Sequence, residues 1–277
     1  MKNFFAPVRK VLCPYCLYEN QFRQPIDRCQ KCEQKLDAEY LENFHDHQPF
    51  FTQIIGWSQV GKTVYLQSLT YALMKMGRIW KRVYAFAPLT DKTLEYVQNV
   101  RTYIHEGRLP LPTQMTIQEA YIMQLSGMER WNSRTFVLRD VAGEVFTKLE
   151  FPINYTPYLL RVPTTLLMVS LSDLRNDKKR GMEDLINSYI HTIMEHDRNY
   201  KRQTRNVVVV LSKADKIINE LPDNLRSYLA DDPVAAMIDS KAPGKPIDSP
   251  QMQAYMIRLA QISGVIEEGG GNIAGGL

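Results

Sequence analysis

The chain has 277 residues, of which 44% are apolar, and its 34 basic residues are almost balanced by 30 acidic residues. A chain of this length and composition can bury one large core and a small additional module, which excludes an intrinsically disordered protein. The net charge of +4 is too small to indicate nucleic acid or an anionic membrane as a partner.

The apolar runs of the chain are all much shorter than the roughly 20 residues that a membrane span requires. The N-terminal segment is interrupted by Pro7 and by basic residues before the apolar core of a signal peptide can form. We therefore expect no membrane span and a cytoplasmic protein.

All four cysteines lie in the first 32 residues, in two Cys-x-x-Cys pairs separated by 12 residues: Cys13, Cys16, Cys29 and Cys32. Each Cys-x-x-Cys turn places two thiolates on one edge of a tetrahedron, and two turns complete a four-thiolate shell for zinc. We predict a zinc ribbon with its linker in residues 1–48. Iron in a rubredoxin-like site and free or redox thiols are the alternatives, whereas a reducing compartment disfavours disulfides.

The surroundings of the cysteines limit what the ribbon binds. Residues 1–48 contain seven basic and seven acidic residues, so the predicted ribbon has no basic bias that would indicate nucleic acid. His45 and His47 follow the ribbon, but a shell of four cysteines is already closed, and we interpret both as linker residues. A protein partner is the remaining expectation for this module.

Residues 56–63 match the phosphate-binding loop G-x-x-x-x-G-K-[ST] at every fixed position, between an apolar run and an amphipathic stretch, 64–76. In such a loop the glycines allow successive backbone N–H groups to point at phosphate oxygens. The lysine reaches the β- and γ-phosphates, and the hydroxyl of the following residue ligates magnesium. The predicted nucleotide-binding residues are Gly56, Ser58, Gln59, Val60, Gly61, Lys62 and Thr63.

The residues after the loop predict further strands and helices. An insert at about 80–112 contains apolar alternation up to Pro88 and a helical pattern from Asp91 to Glu106. A strand over 118–125 follows the proline-broken segment, and a second strand, 135–140, ends in Asp-x-x-Gly. In phosphate-switch proteins the aspartate of this motif, here Asp140, holds magnesium, and the N–H of the glycine, here Gly143, contacts the γ-phosphate.

Two later runs are almost continuously apolar, 164–171 and 207–211, which predicts parallel strands buried on both faces. A helical pattern over 182–194 lies between them, and Ser212-Lys213-Ala214-Asp215 follows the second run. The chain therefore predicts an α/β fold with a mostly parallel sheet flanked by helices and a small N-terminal zinc ribbon.

The three motifs, each at the end of a strand and in this order, resemble a Ras-like GTPase of the translation-factor-related class over about residues 50–216. The resemblance implies GTP and Mg²⁺ as ligands. It also implies that Asp215 accepts two hydrogen bonds from guanine, that the Lys213 stem packs over the base, and that a switch threonine closes over magnesium. Thr113 and Thr116 are the candidates, and we favour Thr113 because two prolines precede it.

The chain departs from this family at three places. Ser212 stands where asparagine is usual, and Glu144 stands where a glutamine orients the attacking water. The fifth family motif, after a sixth strand, is not visible, and residues 217–277 read as polar loop, two helical stretches and a Gly-rich end. Either the chain ends before that strand or this member has lost it. Lys62 and Glu144 are the residues expected to act on the γ-phosphate.

A zinc ribbon before a Ras-like domain with a long insert resembles the double-GTPase families of bacterial conflict and signalling gene clusters. This resemblance implies that residues 49–277 form a GTPase-like domain that acts as a GTP-dependent switch in a multi-protein system. It also implies that protein partners contact the ribbon or the switch regions. The alternatives are a nucleotide-binding scaffold without turnover and a P-loop ATPase. Such ATPases use an Asp-Glu pair, but Asp140 and Asp173 are followed by valine and leucine.

Overall fold

The computed structural model describes residues 9–78, 84–109, 120–128, 132–141, 156–175, 178–196 and 205–221, with residues 223, 226 and 227. In chain order its helices and strands are β1 (Arg9–Leu12), β2 (Glu19–Phe22), α1 (Ala38–Asn43), β3 (Pro49–Gly56), α2 (Lys62–Lys75), β4 (Ala85–Pro88), α3 (Asp91–Glu106), β5 (Tyr121–Ser126), β6 (Arg134–Asp140), α4 (Thr156–Arg161), β7 (Thr164–Ser170), α5 (Lys178–His196) and β8 (Asn206–Ser212). Short 3-10 helices follow β7 (Leu171–Arg175) and β8 (Ala214–Glu220).

The larger sheet has six described strands in the order β4-β5-β6-β3-β7-β8. The strands β6, β3, β7 and β8 run parallel to one another. β5 is antiparallel to β6, and β4 is antiparallel to β5. Helices cover both faces, so the predicted α/β class with a mostly parallel sheet is confirmed.

The described part of the predicted insert belongs to this sheet. β4 pairs with β5 from Ala85 to Pro88, and α3 packs against both strands. α3 has the bounds that its periodicity predicts, because its ends carry local signals: Thr90 Oγ1 accepts the Thr93 N–H, and Gly107 ends the helix at φ 63°. The Thr93 hydroxyl also accepts the Ile122 N–H at 2.9 Å, which fixes α3 on β5.

Two apolar layers fill the space between the sheet and its helices. On one face Leu66 of α2 packs with apolar side chains of the central strands: Ile54, Met123, Leu138 and Met168. On the other face α4 and α5 pack over β3 and β7 through Leu159, Leu185 and Tyr189. No helix among the described residues has both the length and the apolar composition needed to cross a membrane.

β8 corrects one prediction from the sequence. β7 is buried along most of its length, as expected. The prediction that the run from Val207 to Leu211 forms a strand buried on both faces is wrong. β8 forms the edge of the described sheet, and the side chains of Val207 and Val209 are 53% and 55% exposed. A continuous apolar run reports strand propensity, but it does not report whether another element covers the strand.

The N-terminal hairpin, β1 and β2, packs directly on the sheet. A single buried cluster joins the hairpin and α1 to β3, β5, β6 and α4: Val11, Leu17, Tyr40, Phe51, Leu89, Ala120, Ile122, Val137, Tyr158 and Val162. The Tyr40 hydroxyl, fully buried, donates to the Leu12 carbonyl at 2.6 Å and so connects α1 to β1. The cysteine-rich module and the sheet therefore share a hydrophobic core.

Candidate functional site

The turn between β3 and α2 has the backbone that the loop motif requires. A Cβ on Gly56 would lie 2.8 Å from Val60 Cγ2 and 2.9 Å from the Met168 carbonyl oxygen, so no larger residue fits there. Gly61 has φ 96° and Gln59 has φ 63°, both in the left-handed region. Alternation of left- and right-handed residues turns successive N–H groups into one concavity, which binds anions.

Lys62 is the first residue of α2 and is almost fully buried. Its Nζ donates to the carbonyl oxygens of Gly56 at 2.8 Å and Trp57 at 3.0 Å, so the ammonium spans the start of the loop. The loop tip, Ser58 and Gln59, is exposed. A positive charge and the N-terminal end of a helix therefore meet at an open turn, which is the electrostatic arrangement that favours phosphate.

Asp140 lies at the same edge of the sheet as this loop. It ends β6, which pairs in parallel with β3 so that Asp140 is opposite Ile54. The ladder continues beyond it, because the Val141 N–H donates to the Ile54 carbonyl at 3.1 Å. The side chain of Asp140 is only 3% exposed. The hydroxyl of Tyr96 lies nearby, and its pKa is raised mainly by its own burial and to a smaller extent by the Asp140 carboxylate. Thr63 is the second residue of α2 and lies in the first turn of the helix, beside the loop.

The end of β8 contacts the loop directly. Ser212 Oγ donates to the Val60 carbonyl at 2.7 Å and lies 3.3 Å from the Val169 carbonyl. Lys213 follows in the left-handed conformation, φ 57°, and turns the chain into the 3-10 helix that contains the exposed Asp215. The hydroxyl of Ser212 thus connects the turn after β8 to the phosphate-loop backbone.

The structure therefore brings three of the predicted motifs to one edge of the sheet, where the carboxyl ends of β3, β6 and β8 lie. Ligands of open α/β sheets bind at this edge. Thr113, Thr116, Gly143 and Glu144 lie outside the described residues, so their predicted roles stay predictions.

Four sulfur atoms form the second candidate site. The ligand atoms of Cys13, Cys16, Cys29 and Cys32 all lie within 4.8 Å of one another, and Cys13–Cys32 and Cys16–Cys29 are each separated by 3.7 Å. A zinc–sulfur bond of about 2.3 Å in a tetrahedron requires sulfur–sulfur edges of about 3.8 Å. The four cysteines fit a zinc ribbon, and His45 and His47 are not in this cluster, which is the one such group among the described residues.

The thiols of this cluster compete for protons. A hydrogen bond from Cys13 lowers the pKa of Cys16 to about 5, and the same pairing raises the pKa of Cys13 well above its usual value. Burial raises the pKa of Cys32 to about 11. Several adjacent thiolates repel one another, so a divalent cation among the four sulfurs is the arrangement that allows all of them to be ionised.

Comparison with known families agrees with this geometry. The family model for Double-GTPase 2 matches residues 51–245, which is more than half of the chain. The chain belongs to the Double-GTPase 2 family. A search of curated proteins found no match. Membership in this family supports GTP binding and GTPase function for the domain that contains the loop, Asp140 and Asp215.

Two contacts of this double-GTPase domain were not predicted from the sequence. The sequence predicts only that the Ser212 hydroxyl replaces part of the hydrogen bonding of an asparagine amide, but this hydroxyl donates to the loop carbonyl of Val60. The sequence indicates only that Asp173 does not begin an Asp-Glu pair, but its carboxylate lies 3.6 Å from Lys213 Nζ. The signal that could have found Asp173 is its place directly after a predicted buried strand, where side chains of α/β sites lie.

Proposed function

We propose that this protein binds GTP at the carboxyl edge of the sheet and acts as a nucleotide-dependent switch in a multi-protein system. The observation that carries the proposal is the contact from Ser212 to Val60, because it holds a predicted base-recognition turn against a phosphate loop. Family membership supports the guanine nucleotide. The switch role and the partners are part of the proposal.

Each part of the edge has a proposed role toward the nucleotide. The backbone N–H groups of residues 56–63 bind the phosphates, and Lys62 contributes its charge to the β- and γ-phosphates. Thr63 and Asp140 are the residues that would hold Mg²⁺, and the metal would supply positive charge to neutralise the phosphates.

On the β8 side, Lys213 packs its stem over the base, and Asp215 accepts hydrogen bonds from the guanine ring N–H and exocyclic amine. Asp215 is exposed at the start of the 3-10 helix, so a base can reach it. Adenine presents an acceptor where guanine presents the ring N–H, so the carboxylate discriminates between the two bases.

The four cysteines hold structural zinc, which replaces a hydrophobic core inside the ribbon. A closed shell of four thiolates leaves no open position for a substrate. The ribbon therefore contributes folding energy and a surface for a protein partner.

Nucleotide titrations test the proposal. Wild-type protein is expected to bind GTP more tightly than ATP, and Asp215→Asn is expected to shift the preference toward xanthine nucleotides, because the amide donates where the carboxylate accepts. Asp223→Asn is the control, since Asp223 is exposed and pairs with Arg226. Equal affinities of the wild type for GTP and ATP would favour the ATPase alternative.

The side chain of Glu144 is the proposed determinant of the rate of GTP hydrolysis. A carboxylate near the γ-phosphate is repelled by like charge, whereas a neutral glutamine orients water. We expect slow hydrolysis in the wild type and a rate in Glu144→Gln that is equal or higher. Single-turnover phosphate release measures both rates. A collapse of the rate in Glu144→Gln would identify the carboxylate as the essential base, and no release from either protein would favour the scaffold.

A further inference from the structure

Lys213 makes an ion pair that the proposed base site does not explain. Its Nζ lies 3.6 Å from Asp173 Oδ2, and the two side chains are 22% and 20% exposed. Other ion pairs of the described residues have side-chain exposures of 43% to 98%: Lys10–Glu19, Arg108–Glu106, His191–Glu195 and Arg226–Asp223. The Lys213–Asp173 pair is thus much less exposed to water. Partial burial strengthens the attraction between two charges and reduces its screening by salt.

The two partners come from adjacent strand ends. Asp173 lies in the 3-10 helix that follows β7, and Lys213 is the first residue after β8. The two strands are in register up to Ser170 and Ser212, and the 3-10 helices that follow them pack together. The pair therefore joins the carboxyl ends of two adjacent parallel strands, at the edge of the sheet where ligands of open α/β sheets bind.

Both ends of the Lys213 side chain are held. Its backbone is in the left-handed conformation, with φ 57°, and is followed by the 3-10 helix. The preceding residue, Ser212, is hydrogen-bonded to the phosphate loop. Its ammonium is held by Asp173. A lysine stem has four rotatable bonds and loses considerable rotamer entropy when it is ordered, so fixing both ends prepares it as a flat apolar surface before the base arrives.

We propose that Asp173 is a positioning residue for guanine-nucleotide recognition, which holds the Lys213 stem in place as a wall of the base pocket. The proposal rests on the proposed GTP-binding function. Asp173 acts through Lys213 and does not itself contact the nucleotide. Its effect falls on the base, which GTP and GDP share, and not on the γ-phosphate.

Binding of GTP and GDP to Asp173→Asn tests the proposal. The substitution keeps the shape of the side chain but removes its charge. Affinity for GTP and for GDP is expected to fall by the same factor, about threefold to tenfold, because the freed stem must be ordered when the base binds. Asp184→Asn, an exposed aspartate on α5, is the matched control and is expected to change neither affinity.

A double-mutant cycle separates positioning from a general effect on folding. Lys213→Met keeps an unbranched apolar stem without the ammonium, so adding Asp173→Asn to it is expected to have no further effect on affinity. The thermal midpoint measured in parallel is expected to change little in Asp173→Asn.

The outcomes that contradict the proposal differ from those that contradict the proposed function. Unchanged affinities in Asp173→Asn, a loss for GTP alone, or the same loss in the Lys213→Met background would overturn the positioning role while GTP binding stands. Failure of the wild-type protein to bind GTP or GDP would overturn both.

Discussion

At the scale of single residues, the candidate nucleotide site is built on backbone conformations that most residues avoid. Gln59 and Lys213 have positive φ although neither is glycine, and such a conformation costs roughly 1 kcal/mol or more per residue. Both residues lie in the turns that follow strands, one in the phosphate loop and one before Asp215. Strained backbone of this kind concentrates at ligand sites, because it places N–H groups and side chains where a regular turn does not.

Lys62→Ala is expected to weaken binding of GTP by about tenfold or more, because it removes a charge-assisted contact to phosphate. Isothermal titration measures the change. Lys75→Ala, at the far end of the same helix, is the control, since about 20 Å of helix separates Lys75 from the loop. Equal affinity of Lys62→Ala and wild type would contradict the phosphate-loop assignment.

Ser212→Ala removes the hydrogen bond to the Val60 carbonyl while leaving the rest of the turn. Loss of such a bond costs about 0.5–1.5 kcal/mol, so nucleotide affinity is expected to fall by about twofold to tenfold. Ser172→Ala provides the control at the same sheet edge, because the Ser172 hydroxyl contacts that of Ser170. If Ser212→Ala binds GTP like the wild type, the connection between the turn and the loop does not matter for recognition.

At the scale of elements, the ribbon consists of two turns with equivalent geometry. In each turn the residue four positions after the first cysteine has positive φ, Leu17 at 55° and Glu33 at 59°. In each turn the N–H two positions after that cysteine points at its sulfur, from Tyr15 to Cys13 and from Lys31 to Cys29, both at 3.4 Å. N–H donors stabilise thiolates, so the geometry of both turns fits the proposed role of the cysteines as zinc ligands.

Cys29→Ser is expected to remove the metal and to destabilise the sheet as well as the ribbon. Elemental analysis of the wild type is expected to find one zinc per chain. Because Tyr40, Phe51 and Val137 share one cluster with the ribbon, loss of zinc is expected to cost at least about 3 kcal/mol of unfolding free energy. Hydrogen exchange is expected to accelerate in β5 and β6.

Lys31→Ser changes an exposed side chain of the same turn and serves as the control for Cys29→Ser. It is expected to keep zinc and stability. Unchanged hydrogen exchange in the sheet of Cys29→Ser would show instead that the ribbon unfolds independently. A wild-type protein without stoichiometric metal would contradict the zinc assignment.

At the scale of the whole molecule, the described sheet is asymmetric. β4 and β5 form one side, where α3 packs, whereas β8 has exposed apolar side chains on both faces: Val207, Val208, Val209 and Leu211. The predicted nucleotide motifs lie between these sides, at the ends of β3, β6 and β8. Edge strands with apolar side chains favour pairing with other chains, and lysine on such a strand opposes it.

Urea denaturation of Val209→Lys and Val137→Lys compares the loss of unfolding free energy at an edge strand with the loss in the core. Val209 is 55% exposed, so its replacement is expected to change the unfolding free energy by no more than about 1 kcal/mol. Val137 is fully buried, and the same change there is expected to cost more than about 3 kcal/mol. A similarly large loss in Val209→Lys would show that β8 is covered in solution.

The sequence alone determined the features that depend on local patterns. Hydrophobic periodicity placed α3 at its observed bounds and the central strands within a few residues, because strand and helix propensity act over short segments. The Cys-x-x-Cys spacing predicted the four-sulfur cluster, and the loop motif predicted the turn after β3. The α/β class followed from the alternation of these elements.

Only the tertiary structure decided which of these elements touch. Three features depend on residues that lie far apart in the chain. They are the edge position of β8, the core that the ribbon and the sheet share, and the pairing of Asp173 with Lys213. No local pattern encodes such contacts, because the same apolar run suits a covered or an exposed strand. The contact from Ser212 to Val60 likewise depends on the order of the parallel strands in the sheet. This order is established only when the whole sheet assembles.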